Sequence, residues 1–342
     1  MNIKKNRIIC FDFLKIICTI LVIINHSHLY FTESGRVLHL FHFLLFSICK
    51  IAVPIFLMIT GFLILDRDNN YSVILKKRIP RIYLACLFST IIGIAFYNMN
   101  IINTFIKFLF GGQSYTLFFL WYIYDLIILY LLAPLLKKMI SRFSIGDYKH
   151  FFIIFMVIPS FVLFCSDIFE NFFNINDLCG KIFNQIPFLV NIGYFVIGYY
   201  IFKNRSEKRI KRELYLLLIS IISLIIYLCF GYLKYHQIID IKYNCLPVVI
   251  MSVCFFDLFL FYYKKSSNNI FNEIIIKLSE SSLGIYLTHV YLIEFLMKTN
   301  FFIKLFRFNL FIGYYFLIVF VYIFLCFLFY LIRKVPIFAK IF

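Results

Sequence analysis

Long apolar stretches recur along the whole sequence, and they constrain the fold more than any other feature. A helix needs about 20 mostly apolar residues to cross the hydrocarbon core of a bilayer. We identify ten stretches that approach or exceed that length, at residues 8–31, 38–65, 81–98, 115–136, 150–166, 184–202, 214–233, 244–263, 281–298 and 309–332. The stretch at 150–166 is the shortest. The sequence therefore predicts an all-α, polytopic membrane bundle with about ten transmembrane helices.

The charged residues indicate how these helices are oriented. The net charge is +18, and most of the 34 Lys and Arg residues lie in alternate loops. That distribution follows the positive-inside rule, so we expect cytoplasmic N- and C-termini, contact with membrane lipids and no nucleic acid partner. Because the loops are short throughout, we expect a single membrane-embedded domain over residues 1–342 without a fused soluble domain.

The sequence contains no signature of a metal or a permanently bound cofactor. The ten cysteines form no C-x-x-C pair, and most lie within the apolar stretches, where cysteine acts as a small apolar side chain. Phosphate-loop and dinucleotide fingerprints are missing as well. We therefore expect no metal site and no resident cofactor.

The first apolar stretch contains ionisable residues that are costly in hydrocarbon. It reads DFLKIICTILVIINHSH, from Asp12 to His28. With about 100° per residue, Lys15 and His26 fall at roughly 300° and 320° from Asp12, on one stripe of the helix, and His28 falls on the opposite side. Ionisable groups on such a stripe face a protein interior or a watery cavity and are functional candidates. Alternatively, Asp12 and Lys15 form a simple i,i+3 pair near the membrane boundary.

Three further groups of polar residues lie within the predicted spans. Lys50 lies four residues before Pro54, and we expect it to face the same cavity as the first-helix stripe. Trp121 begins a helix at a membrane interface beside Tyr122 and Tyr124, and an aromatic belt explains those two tyrosines adequately. In the ninth span the polar side chains recur at i, i+4 and i+7, a pattern that hydrogen bonding between helices also explains, at Ser282, Tyr286 and His289.

Several motifs, taken in order, resemble the acyltransferase-3 family of integral-membrane O-acyltransferases. The first helix has DFLK followed by His26, similar to the family's D-x-x-[RK] and histidine. The second span ends in AVPIFLMITGFLIL, with Thr60 where the family usually has serine, and the next loop has RIPR at Arg78 and Arg81. Further on come LWYIYDLIILYLLAPLL and SSLGIYLTHVYLI, the latter similar to the family's I-Y-L-x-H helix. The resemblance covers most of the chain.

The resemblance implies transfer of an acyl group, usually acetyl, from cytosolic acyl-CoA to a hydroxyl of a surface polysaccharide or a lipid-linked sugar. Acyl-CoA and the carbohydrate are then the substrates, the bacterial cytoplasmic membrane is the expected location, and proteins of polysaccharide biosynthesis are further candidate partners. Coenzyme A phosphates favour guanidinium and ammonium groups. The site residues that this interpretation predicts are His26 and Asp12 for catalysis, Lys15, Lys77, Arg78 and Arg81 for the donor, and Lys50, Trp121, Tyr122, Tyr286 and His289 for the acceptor.

The sequence leaves the mechanism and one competing function open. His26 is predicted either to take the proton of the acceptor hydroxyl or to carry the acyl group itself. Asp12 lies about 21 Å from His26 along the helix, too far to orient its ring. A transporter or flippase is the main alternative function, because buried ionisable groups also suit a substrate pathway. A passive scaffold would leave the stripe of Asp12, Lys15 and His26 unexplained.

Overall fold

The computed structural model of the protein describes residues 7–27, 44–67, 71–109, 115–173, 187–204, 206–235, 241–263 and 269–342. Within these ranges the secondary structure consists of helices and turns, without a strand. The predicted all-α class is therefore confirmed.

The α-helices follow one another with short connections. In chain order they are α1 (Ile9–Ser27), α2 (Ala52–Leu65), α3 (Ile79–Tyr97), α4 (Ile101–Leu109), α5 (Trp121–Ile140), α6 (Ile145–Phe152), α7 (Ile158–Phe173), α8 (Phe188–Lys203), α9 (Ile210–Tyr235), α10 (Leu246–Tyr262), α11 (Asn269–Glu280), α12 (Ser282–Met297), α13 (Asn300–Phe308), α14 (Leu310–Ile332) and α15 (Pro336–Ile341). Shorter helical segments adjoin several of them, at Tyr71–Val73 and Ile74–Arg78 before α3, Tyr115–Leu120 before α5, Ile153–Val157 between α6 and α7, and Glu207–Arg209 before α9.

The apolar helices match the predicted spans one for one. Seven helical runs in the described ranges are long and apolar enough to cross a membrane: Ile9–Ser27, Leu44–Leu65, Tyr71–Tyr97, Phe118–Ile140, Ile145–Phe173, Ile210–Tyr232 and Leu310–Ile332. The shorter apolar helices α8, α10 and α12 account for the remaining three predicted spans. The protein is thus a multi-pass membrane protein. The number of crossings and the cytoplasmic position of the termini stay predictions.

The stretch at 150–166, predicted to be the shortest span, belongs to the longest of these seven runs. Ile145–Phe173 comprises 29 residues. Its start is fixed by a capping box, in which Ser144 Oγ accepts from the Asp147 amide at 3.2 Å and Asp147 Oδ2 accepts from the Ser144 amide at 2.8 Å. Because the first turns contain Asp147, Lys149 and His150, a search for apolar residues places the start too late.

The chain divides into two compact units. Unit 1 comprises Met1–Glu33, Asn70–Leu131 and Lys265–Phe342, and unit 2 comprises Ser34–Asn69 and Leu132–Lys264. In unit 1, α1 packs against α11, α12 and α14, and α12 also packs against α3 and α14. Hydrogen bonds fix the α3–α12 contact, because Ser89 Oγ donates to the Leu287 carbonyl at 2.6 Å and the Tyr291 hydroxyl donates to the Ser89 carbonyl at 2.9 Å. These contacts place α12 at the centre of unit 1.

In unit 2, α2 and α8 approach each other backbone to backbone. A Cβ atom on Gly61 of α2 would overlap the carbonyl of Phe195, and a Cβ atom on Gly198 of α8 would overlap the backbone of Met58. Only glycine permits this separation, so the two glycines determine how closely the helices pack.

Candidate active site

One face of α1 is turned toward the neighbouring helices of unit 1. Asp12 and Thr19 on this face are buried, and Lys15 and His26 are partly buried. The carboxylate of Asp12 accepts from Ser279 Oγ of α11 at 2.8 Å, and the ring of His26 lies beside that of His289 of α12. The stripe predicted from the helical period therefore faces protein. His28 lies outside the described residues.

The imidazole rings of His26 and His289 lie side by side between α1 and α12. Their ring centroids are 5.0 Å apart, with an angle of 52° between the planes. His289 is fully buried, whereas His26 keeps partial exposure. The structure thus brings together the two histidines that the sequence singled out on the first and ninth spans. His26 keeps an accessible side, as a group that takes a proton from a substrate requires.

Two aromatic side chains lie against this pair, and they come from the short helical turn before α5, Tyr115–Leu120. The Phe118 ring lies 5.5 Å from that of His26, and the Phe119 ring lies 5.9 Å from that of His289, between centroids. The turn is held in place by the Tyr286 hydroxyl, which donates to the Phe119 carbonyl. Neither phenylalanine was predicted from the sequence, although they directly precede the L-W-Y motif.

The two aromatic residues predicted to bind the acceptor lie next to this turn. The Tyr122 ring lies 5.4 Å from that of Tyr286 and is buried, whereas Trp121 is partly exposed. Tyr286 is thus a structural link between α12 and the start of α5. The roles of Trp121, Tyr122 and Tyr286 in substrate binding stay predictions.

At the other end of the α1 face, Asp12 is part of an ion network. Arg7 Nε donates to Asp12 Oδ2 at 2.8 Å, and Arg7 Nη1 donates to Glu280 Oε1 at 2.6 Å. Arg333 Nη1 lies 2.7 Å from the second oxygen of Glu280, and Lys15 Nζ lies 3.6 Å from Asp12 Oδ1. The predicted i,i+3 contact of Asp12 and Lys15 is present, but the shorter contact of Asp12 is with Arg7. A catalytic role of Asp12 stays a prediction.

The charges in this network favour its ionised form. Burial raises the pKa of Glu280, but hydrogen bonds from Arg7 and Arg333 outweigh burial and hold that pKa below its ordinary value. Burial lowers the pKa of Arg7, and Asp12 and Glu280 more than compensate, so that pKa lies above its ordinary value. Arg7 was missed at the sequence level because it belongs to a basic N-terminal cluster that topology alone explains.

The basic residues predicted to bind the donor lie on a distorted helical turn. The segment Ile74–Arg78 is a π-helix, followed by Pro80 near the start of α3. Proline has no amide hydrogen and its ring displaces the carbonyl four residues earlier, which accounts for the wide turn. Lys77 and Arg81 are exposed, and Arg78 is partly buried. Arg81 lies within electrostatic range of Lys15, which places the two predicted donor groups in one region of unit 1.

Arg81 also contacts the end of the chain's last helix. Its Nε donates to the Ile341 carbonyl at 2.9 Å, and its Nη2 donates to the Phe342 carbonyl at 3.1 Å. These two hydrogen bonds hold the end of α15 beside the start of α3. An incoming phosphate would compete with these carbonyls for Arg81.

Lys50 belongs to unit 2. It lies in a tight turn before α2, where the Lys50 amide donates to the Ser47 carbonyl at 3.3 Å, and its ammonium lies 4.2 Å from the centre of the Phe46 ring. Pro54 explains the turn, because its ring cannot accommodate a helical carbonyl at residue 50. The predicted role of Lys50 in acceptor binding stays a prediction.

Two further acids that lie in apolar helices, Glu294 and Asp257, have partners within their own units. Glu294 accepts from the Tyr97 hydroxyl at 2.9 Å in unit 1, and Asp257 lies 3.9 Å from Arg209 in unit 2. These contacts join neighbouring helical segments within each unit.

A comparison with protein families decides the class of protein. Residues 8–331 match a family described as an acyltransferase domain, and the match runs through both units. The chain belongs to the acyltransferase-3 family. Comparisons with curated proteins and with solved structures give no significant match. As a family member with several long apolar helices, this acyltransferase is a multi-pass membrane enzyme. Membership of this family favours an acyltransferase over the transporter or flippase that the sequence left open.

Proposed function

We propose that this acyltransferase moves an acyl group, usually acetyl, from acyl-CoA to a hydroxyl of a surface polysaccharide or a lipid-linked sugar, with His26 as the reacting base. The observation that carries the proposal is the place of His26, on the protein-facing side of α1 beside His289 and partly open. A neutral imidazole accepts a proton close to neutral pH, which a hydroxyl nucleophile requires.

The reaction consists of two proton movements and one exchange of bonds. His26 takes the hydroxyl proton while the hydroxyl oxygen attacks the thioester carbonyl. The carbon–sulfur bond then breaks, and the departing thiolate takes the proton from the His26 imidazolium. The products are an ester and free coenzyme A, and His26 returns to its neutral form.

The basic residues near the π segment support a coenzyme A donor. Lys77, Arg78 and Arg81 supply one ammonium and two guanidinium groups, which suit phosphates. Lys15 lies within electrostatic range of Arg81 and about 16 Å from His26 along α1, and this spacing suits a long thin donor whose phosphates bind at one end and whose thioester reaches the other.

A binding and transfer experiment tests this proposal. Purified protein in nanodiscs is titrated with acetyl-CoA, and base-labile acetate is measured on surface glycan from cells that produce each variant. We expect Arg81→Ala to weaken acetyl-CoA binding, and His26→Ala to keep binding but yield no acetylated glycan. Arg307→Ala is the control, because Arg307 is an exposed arginine of the same unit. Wild-type protein that binds no acyl-CoA would overturn the proposal.

Two further measurements refine the proposal. Competition between acetyl-CoA and succinyl-CoA for binding identifies the acyl group. Incubation with radiolabelled acetyl-CoA in the absence of glycan distinguishes direct transfer from relay, because only a relay leaves label on the protein that hydroxylamine removes and that His26→Ala lacks.

A further inference from the structure

The hydrogen-bond partners of His289 determine which of its ring nitrogens carries the proton. Nδ1 lies 3.0 Å from the Ile285 carbonyl and 2.8 Å from the Tyr286 carbonyl, both of its own helix. A carbonyl oxygen can only accept, so Nδ1 must carry a hydrogen. Because the side chain is fully buried, the neutral ring is favoured. Nε2, at the far side of the ring, then carries a lone pair and is a hydrogen-bond acceptor.

This acceptor lacks a partner within the part of the chain that the structure describes. Nε2 of His289 is buried and makes no hydrogen bond there. A buried polar atom without a partner costs free energy, and in a native protein it indicates a function or a bound group. The surrounding rings of Phe119 and Tyr286 offer an apolar wall, so a donor must come from another direction.

The ring of His26 is close enough to supply such a donor. Its centroid is 5.0 Å from that of His289. Two imidazoles joined by one N–H···N bond have centroids roughly 5 Å apart, the sum of an N···N distance of about 3 Å and two ring radii of about 1.1 Å. The separation therefore already suits a hydrogen bond, and a rotation of the His26 ring suffices to form it.

We infer that His289 is a positioning residue for acyl transfer, which accepts the N–H of His26 at its Nε2 and so fixes the His26 tautomer. The inference rests on the proposed function of His26. One nitrogen of His26 is then held by His289, and the other presents its lone pair to the acceptor hydroxyl. When His26 takes the hydroxyl proton, His289 stabilises the imidazolium without gaining or losing a proton itself. A neutral histidine thus performs the task that a carboxylate performs in hydrolase triads.

Two amide substitutions separate this role from a structural one. In His289→Asn the amide nitrogen can replace Nδ1 and keep the bonds to the helix carbonyls, but the distal acceptor is lost. In His289→Gln the amide oxygen can reach the position of Nε2 and accept from His26. We expect His289→Asn to lower kcat by about 100-fold or more with an unchanged KM for acetyl-CoA, and His289→Gln to recover much of that loss. A structural role predicts the opposite order of the two variants.

A double substitution tests whether the effect passes through His26. In a His26→Ala background, His289→Asn should cause no further loss of the residual rate, because the residue it positions is gone. Acetyl-CoA binding and thermal unfolding of each variant confirm that the protein is folded.

The possible failures have different meanings. Full activity of His26→Ala would contradict the proposed function itself. An inactive His26→Ala together with a fully active His289→Asn, or with equal losses in His289→Asn and His289→Gln, would overturn only the role of His289. His289→Asn could fail to fold. In that case the role of His289 is overturned if the His289→Gln variant has less than a hundredth of the wild-type kcat.

Discussion

The Arg7 guanidinium joins Asp12 to Glu280, donating to the first at 2.8 Å and to the second at 2.6 Å. Three segments meet at this point: the start of α1, the end of α11 and, through Arg333, the end of α14. The buried carboxylate of Asp12 is therefore neutralised from outside the helix as well as by Lys15, and its environment is that of a structural ion network.

We predict that Arg7→Gln destabilises the protein. The substitution leaves the buried Asp12 carboxylate without its closest cation, and a buried charge that loses its partner costs about 1–3 kcal/mol or more. The midpoint of thermal unfolding in detergent should fall. Arg307→Gln, which changes an exposed arginine of the same unit, should leave the midpoint unchanged. Equal midpoints for Arg7→Gln and wild type would contradict this prediction.

Asp12→Asn should affect stability more than chemistry. The amide keeps the size of the side chain but removes the charge that Arg7 and Lys15 neutralise. We expect a lower unfolding midpoint, and a transfer rate per folded molecule that stays within a few-fold of wild type. The rate is measured with acetyl-CoA at a temperature well below the midpoint. A complete loss of transfer in a fully folded variant would instead support the catalytic role that the sequence suggested.

The ion network should make stability depend on acid pH. The pKa of Glu280 is lower in the folded protein than its ordinary value of 4.5, so the folded state binds this proton less readily than the unfolded state. The contribution is present above the ordinary value and is lost as the pH falls through the folded pKa. The unfolding midpoint of wild type should therefore fall below about pH 4.5 more steeply than that of Glu280→Gln.

The matched control for this measurement lies on the same helix. Glu273 of α11 is exposed, and Glu273→Gln should retain the wild-type pH dependence. Parallel curves for wild type and Glu280→Gln would show that the network contributes nothing to the acid response.

Gly61→Ala should destabilise unit 2 strongly. The new methyl group would overlap the Phe195 carbonyl, so α2 and α8 must separate, which costs about 1–3 kcal/mol or more. Gly146→Ala is the control in the same unit, because the nearest atom to its Cβ would be Ser144 Oγ at 3.6 Å. We expect a lower unfolding midpoint for the first and an unchanged or slightly raised midpoint for the second. The reverse order would mean that the two helices are free to move apart.

The helices and the first-helix stripe were predictable because both depend on local regularities. Apolar length identifies a span, and a fixed turn of about 100° per residue aligns Asp12 and His26 whatever surrounds them. The late start assigned to the run at Ile145–Phe173 shows the limit of this approach, since its capping box lies outside the apolar stretch.

The tertiary contacts of the site were not predictable in the same way. The Tyr286 hydroxyl reaches the Phe119 carbonyl across 167 positions of sequence, and no local pattern encodes that pairing. The proximity of His26 and His289 and the role of Arg7 likewise depend on which helices become neighbours. The sequence identified the two histidines as candidates, and only the packing of α1 against α12 related one to the other.

The π segment Ile74–Arg78 allows the basic residues to be redirected without altering the helix that follows them. A π turn holds about one residue more than an α turn, so deletion of a single residue there would shift the chain before it by one residue relative to α3. The side chains before the deletion would then swing by about 100° around the helix axis, while α3 kept its place in unit 1. Loss of a single codon would thus turn Lys76 and Lys77 toward a differently shaped ligand.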